Sequence, residues 1–256
     1  MTINKKEKIK VSVVSYLNSQ PFVYGLQHSD IIHDIDLQLD IPSVCAKKLI
    51  EGTVDIGLIP VAVIPELKEY YIISDYCIGA VGKVSSVMLY SQVPLKKIKN
   101  ILLDYQSRTS VALVKVLSHH FWKITPTWLE TSSNYEDKIN IETAAVIIGD
   151  RTFGLEKKYA FTYDLAEEWQ KYTHLPFVFA CWVANKKISP IFTNNFNKAL
   201  KMGLDNRPQL IIELIQKANY TIDVDTYLHK NISYSYNDEK QRALTLFLKY
   251  LDALYL

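Results

Sequence analysis

An α/β architecture with parallel-rich sheets is what this sequence predicts, on three observations. Short aliphatic and β-branched runs alternate with helix-like segments up to residue 184, the order that joins strands by crossover helices. The run "FVFACWVA" at 177–184 is apolar throughout, as a strand covered on both faces would be. Residues 189–256 read as almost entirely helical. With 256 residues, 48% hydrophobic and 22% charged, the composition is that of a soluble globular protein. The length suffices for one large domain or two modest lobes.

In chain order, "IKVSVVSYL" (9–17) and "IDLQLDI" (35–41) predict strands, the second by its period-2 alternation. Ser43 is placed to cap a short helix, "VCAKKLIE", which Gly52 ends. "VDIGLIPVAVI" (54–64) predicts the next strand, with Asp55 as a structural loop anchor. "VSSVMLYS" (84–91), "ILLDY" (101–105) and "AAVIIGD" (144–150) follow as strands. In "SRTSVALVKVLSHHF" (107–121) small polar residues feed an apolar helix, which puts a helix N-terminus at 107–110. "DLAEEWQKYTH" predicts a helix from Asp164. Ser189 and Pro190 form a cap and first-turn pair, Pro208 opens "QLIIELIQKA", and a last amphipathic helix covers 238–254. No repeat, low-complexity tract or Pro/Gly-rich linker is present, so any second lobe must be joined by strands crossing between lobes.

The formal charge of +2 comes without a dense Lys/Arg block, which argues against a nucleic-acid or membrane partner. "KKEK" at 5–8 reads as a solvated arm, and the apolar stretch after it is too short and too broken by serines for a secretory signal. No run approaches the roughly 18 apolar residues of a membrane span. Cys45, Cys77 and Cys181 are far apart, each in an apolar setting, which suits buried thiols in a reducing compartment. The expectation is a cytoplasmic protein.

Glycine fingerprints for dinucleotides or phosphates, H-E-x-x-H, C-x-x-C and G-x-S-x-G are all missing. The His119–His120 pair sits at a helix end, where exposed or dipole-facing histidines are common. What remains is a set of polar groups at strand ends: Tyr16, Asn18 and Ser19, Pro60, Ser85 and Ser86, then Ser107, Arg108, Thr109 and Ser110, and finally Asp150. Ligands of open α/β sheets sit beyond the carboxyl ends of strands, where helix starts present N–H groups. Arg108 in "SRTS" suits a carboxylate, since its planar fork gives two donors. Equally, Ser107 is placed to cap the helix while Arg108 pairs with a surface acid. Ser85 and Ser86 interrupt an apolar strand, as ligand contacts, a bulge or a hinge between lobes.

"VSYLNSQPF", "GTVDIGLIPVAVIP", "GKVSSVMLYS", "LDYQSRTSVALVKVL", "IIGDRTF" and "YDLAEEWQKYTHLPFVFACWVA", in this order, resemble the chorismate dehydratases of the futalosine route to menaquinone. These motifs span residues 12–184; the helical C-terminus resembles the family only in general pattern. The resemblance implies a two-lobed fold of the type II periplasmic-binding-protein kind. One lobe would comprise 1–90 plus 180–256 and the other 91–179, with crossings near "MLYSQ" and "LPFVFA" and the ligand between them. It implies a lyase that removes water from chorismate to give 3-[(1-carboxyvinyl)oxy]benzoate, with no cofactor, chorismate as its small-molecule partner and no assigned oligomeric state. Asn18 and Ser86 would then be catalytic. Tyr16, Ser19, Pro60, Ser85, Ser107, Arg108, Thr109, Ser110 and Asp150 would bind substrate. The proton would be removed by Asp104, by Asp150 or, as favoured here, by the substrate's own enolpyruvyl carboxylate. The alternatives are the related dihydroxynaphthoate synthase of the same route and a non-catalytic cytoplasmic solute-binding or sensing protein.

Overall fold

In the computed structural model, residues 7–254 are described. Glu7 and Lys8 of the expected arm are exposed, and its first two residues lie outside the described residues. The chain runs through β1 (Ile9–Val14), α1 (Gln20–Gln27), β2 (Ile35–Asp40), α2 (Pro42–Ile50), β3 (Ile56–Pro60), β4 (Tyr71–Ala80) and β5 (Val87–Ser91). It continues with β6 (Asn100–Leu103), α3 (Arg108–Val116), β7 (Thr127–Glu130), β8 (Thr143–Ile148), β9 (Phe161–Asp164), α4 (Leu165–Thr173) and β10 (Phe177–Ala184). After that come α5 (Pro190–Asp205), α6 (Arg207–Lys217), the single turn α7 (Val224–Thr226), β11 (Ser233–Ser235) and α8 (Asp238–Ala253).

The strands form two sheets, ordered β11-β4-β10-β3-β1-β2 and β7-β6-β8-β5-β9. Both are mixed. Two of the five pairings in the first and two of the four in the second are parallel, so the expected parallel majority is corrected. The reason is the crossing. β10 returns from the second sheet and inserts antiparallel between β3 and β4, while β5 lies antiparallel to both β8 and β9. The outgoing crossing falls at 81–86, because β5 already belongs wholly to the second sheet. It therefore precedes the "MLYSQ" segment that was expected to carry it.

Helix starts follow their capping chemistry. Ser107 Oγ accepts from the Ser110 N–H at 3.1 Å, Asp164 caps α4 through the Ala166 and Glu167 N–H groups, and Ser189 caps α5 ahead of Pro190. Ser43 is not a cap: Ile41 holds that position and Pro42 occupies the first turn of α2, where its missing N–H costs nothing. The 54–64 run divides into β3, which Pro60 closes, and a 3-10 turn at Val61–Glu66, since a proline cannot donate to a strand ladder. Asp55 acts as an anchor, accepting from the Lys10 N–H at 2.9 Å and pairing with Lys186. The mostly helical C-terminus contains β11, held by the buried Lys240. Its ammonium donates to Ser233 O at 2.6 Å, Ser233 Oγ at 2.8 Å and Ser235 O at 2.7 Å.

Every residue of β10 is buried, and one continuous apolar core reaches from β1 and β3 through Phe177, Phe179 and Ala180 to β6 and β8. The three cysteines are buried and free. No helix among the described residues is long and apolar enough to cross a membrane.

Helices α1 and α5 meet backbone to backbone. A Cβ built on Gly25 would lie 2.1 Å from Ala199 O, and one on Gly203 would lie 1.8 Å from Pro21 O. Neither oxygen can move without shifting a helix. Gly203→Ala should therefore lower unfolding free energy by about 2–3 kcal/mol, the range for overpacking a filled contact. Urea denaturation measures this, and an unchanged midpoint would show that the helices separate freely.

Candidate active site

The strands of the two sheets end facing one another. At the C-terminal end of β1 the chain enters a tight turn, Leu17–Ser19, that presents Asn18 and Ser19; β3 ends at Pro60, and β8 ends at Ile148 with Gly149 next. Between them lies a cavity that opens to solvent. Its polar lining comes from Tyr16, Asn18, Ser19, Ser86, Ser107 and Ser110, while Pro60, Ile148, Phe179 and Ala180 are among the apolar walls. No Asp, Glu, His, Lys or Arg lies in that lining.

Each polar group is held by the protein. Ser19 donates to Asn18 Oδ1 at 3.0 Å, and the buried Tyr234 donates to Asn18 O at 2.9 Å. Tyr227 donates to Ser86 Oγ at 2.8 Å. Ser107 donates to Ser110 Oγ at 2.9 Å at the start of α3. The Tyr16 hydroxyl donates to Gln106 Oε1, and burial pushes that phenol well above its ordinary pKa. Gly149, at φ 65°, touches the Tyr16 ring so closely that a Cβ there would lie 2.8 Å from Cε2. Only glycine satisfies both the left-handed backbone and that approach.

Several expected contacts go elsewhere. Arg108 points away from the cavity and pairs with Glu66 at 3.0 Å, its side chain 49% exposed, so the surface-pair reading of "SRTS" describes it. Thr109 bonds within the scaffold, donating to Phe179 O at 3.1 Å and accepting from the Ala62 N–H at 3.2 Å. Ser85 is outside the lining as well. It adopts φ 65° in the crossing segment, and its N–H and that of Val84 donate to Asp164 Oδ2 at 2.6 and 2.9 Å. Thus the serine pair precedes β5 instead of interrupting it.

Asp150 stands behind the wall, accepting from the Leu17 N–H at 3.2 and 3.3 Å and so linking the end of β8 to the Asn18 turn. By surface area it is exposed, yet protein packed around its carboxyl pushes that group up to about 6 against the pull of the N–H. Asp104 is excluded as a base by its partners. It is buried and fully engaged by Arg151, Tyr135 at 2.8 Å, and the Ile148 and Gln106 N–H groups at 2.9 Å. Sequence reasoning missed Tyr227, Tyr234, Gln106, Gly149 and Phe179. For Gly149 the signal was present, a lone glycine closing an apolar strand.

Comparison with known proteins agrees with this architecture. A family model described as menaquinone biosynthesis matches residues 9–253. A chorismate dehydratase from Thermus thermophilus is 26% identical over 176 residues, covering 59% of this chain and 61% of that protein, less than two thirds of its length. Among solved structures, a protein from Archaeoglobus fulgidus superposes with a TM-score of 0.75 at 14% identity, over 97% of this chain and 98% of that one. A Candida albicans protein described as having the generic periplasmic binding protein fold superposes with a TM-score of 0.64 at 14% identity, over 98% and 92%. The fold is thus of the periplasmic-binding-protein kind, and the match over nearly the whole chain places this protein in the menaquinone-biosynthesis family.

Proposed function

We propose that this protein is a chorismate dehydratase, a cytoplasmic lyase that eliminates water from chorismate to give 3-[(1-carboxyvinyl)oxy]benzoate. The two sheets serve as its lobes, with borders at the two crossings instead of at residues 90 and 180. The observation that carries this reading is a strand-end cavity lined by neutral hydrogen-bond donors and by no acid or base side chain.

Chorismate loses the proton from C3 and the hydroxyl from C4, and the ring becomes aromatic, so the overall step is strongly downhill. Charge left at C3 spreads through a double bond onto the ring carboxylate, where preorganised donors lower the barrier. In this protein Ser107, Ser110 and the first turn of α3 face the cavity, and a helix start with a buried hydroxyl pair favours an anion. Asn18 and Ser86 face it from the other sides and can donate to the departing hydroxyl. Asp104 is tied up, Asp150 lies outside the lining against the Leu17 N–H and Tyr16 is a poor base at neutral pH, so proton removal falls to the enolpyruvyl carboxylate of the substrate itself. A histidine-dependent route, as dihydroxynaphthoate synthesis would call for, has no residue to use in this lining.

Incubation with chorismate, followed by ultraviolet absorbance and mass spectrometry, should show loss of one water. Unchanged chorismate in the presence of folded protein overturns the assignment and favours a binding or sensing role.

Asn18→Asp should fold normally and lose turnover by about a hundredfold or more at neutral pH, the scale for one transition-state donor. The change puts a carboxylate beside a dianion and replaces a donor with an acceptor. Steady-state rates with circular dichroism check it; near wild-type turnover would make Asn18 only a turn residue.

Asp150 gives a pH signature. A folded pKa of about 6 lies above the ordinary carboxyl value of about 3.9, so the folded chain holds this proton more tightly than the unfolded chain. Its contribution is full below about pH 4, falls as pH rises through about 6, and is constant above. Asp150→Asn cannot titrate, so its stability relative to wild type should rise between pH 4 and pH 7 in urea denaturation. A difference that stays flat with pH would mean an ordinary carboxyl at this position.

A further inference from the structure

We propose that Tyr227 is a positioning residue for the elimination: by donating its phenolic proton to Ser86 Oγ it leaves the Ser86 hydroxyl proton free to point into the cavity and donate to the departing hydroxyl. The inference rests on the chorismate dehydratase reading, and it concerns a residue in the C-terminal segment, outside all the motifs that carry the family resemblance.

A serine hydroxyl has one proton and two acceptor lone pairs, and so does a phenol apart from its lower basicity. Tyr227 is buried, with its hydroxyl 2.8 Å from Ser86 Oγ. Burial raises its pKa, so the phenol stays protonated and remains a donor throughout the working pH range. The phenol has a single proton, and the hydroxyl geometry gives it to Ser86 Oγ. Ser86 Oγ then receives one hydrogen bond from the protein, and its own proton has the cavity to point into, since Ser86 is part of the lining.

Directional order therefore runs from Tyr227 to Ser86, and ends as a donor aimed at the ligand. A donor is what a leaving hydroxide requires, whereas a serine free to rotate would present lone pairs much of the time. Tyr227 itself is outside the cavity lining, so its effect must pass through Ser86. The ring is fixed independently of its hydroxyl by an edge-to-face contact with Phe153, centroids 5.3 Å apart at 78°. Tyr227→Phe can therefore remove the hydroxyl and keep the packing.

The test uses the full chain with chorismate as substrate and three variants, Tyr227→Phe, Ser86→Ala and the double variant. Tyr227→Phe should keep its thermal midpoint and a KM within about threefold of wild type while kcat falls about tenfold. Ser86→Ala should fall further, about a hundredfold, on the scale of a lost transition-state donor. The double variant should be no slower than Ser86→Ala alone, because contributions that act through one group do not add. A wild-type kcat for Tyr227→Phe, or a double variant slower by the product of the two single losses, overturns the positioning role while leaving the activity in place. Absence of turnover in the wild-type protein overturns the functional reading and this inference with it.

Discussion

Everything at the cavity depends on β10. Strand 177–184 is the return path from the second sheet, and it enters the middle of the first, hydrogen-bonded on one side to β3 and on the other to β4. A strand buried on both faces with both backbone edges paired has no freedom to slip, because a shift by one residue would reverse every side chain. That fixed register puts Phe179 and Ala180 in the cavity wall beside Pro60. The Phe179 carbonyl also takes the Thr109 hydroxyl, so the same strand sets where α3 begins. Ser107 and Ser110 inherit their positions from that bond.

The binding chemistry follows from what the strand ends can offer. Burying isolated charge is costly, and a cavity that holds a dianion with fixed side-chain charges would need each of them matched when the ligand leaves. Neutral hydroxyls, an amide and a helix start avoid that demand. They have partners within the protein, as Ser107 with Ser110 and Asn18 with Ser19 show. The charged groups near the site are held one layer back. Asp104 and Arg151 satisfy each other, and Asp150 is spent on the Leu17 N–H.

Local chemistry made much of this legible in the sequence. Caps at Ser107, Asp164 and Ser189 follow from short polar side chains before amphipathic runs, and the burial of β10 follows from its unbroken apolar run. The polar strand ends stood out because small donors are poor core material. Long-range pairing was not legible. β4, β7, β9 and β11 have mixed polarity or only a few residues, so partners define them and pattern does not. Arg108 could reach either a ligand or Glu66 from the same backbone position, and only the fold decides which. Tyr227 comes from 141 residues beyond the serine it serves, in a segment whose sequence says no more than helix.

The apolar core that runs unbroken through the junction has a consequence for how a ligand gains access. Val84, Val87, Ile148, Phe179 and Ala180 belong both to that core and to the cavity wall, so parting the sheets wets hydrocarbon as well as breaking the Tyr16 and Asp150 links. Each 100 Å2 of apolar surface so exposed costs roughly 2.5 kcal/mol. At that cost an open conformer would hold about one or two molecules in a hundred, and entry and exit through it would both be slowed in the same proportion. Any wider opening of the cavity is then limited by how long those valines and that isoleucine stay in water.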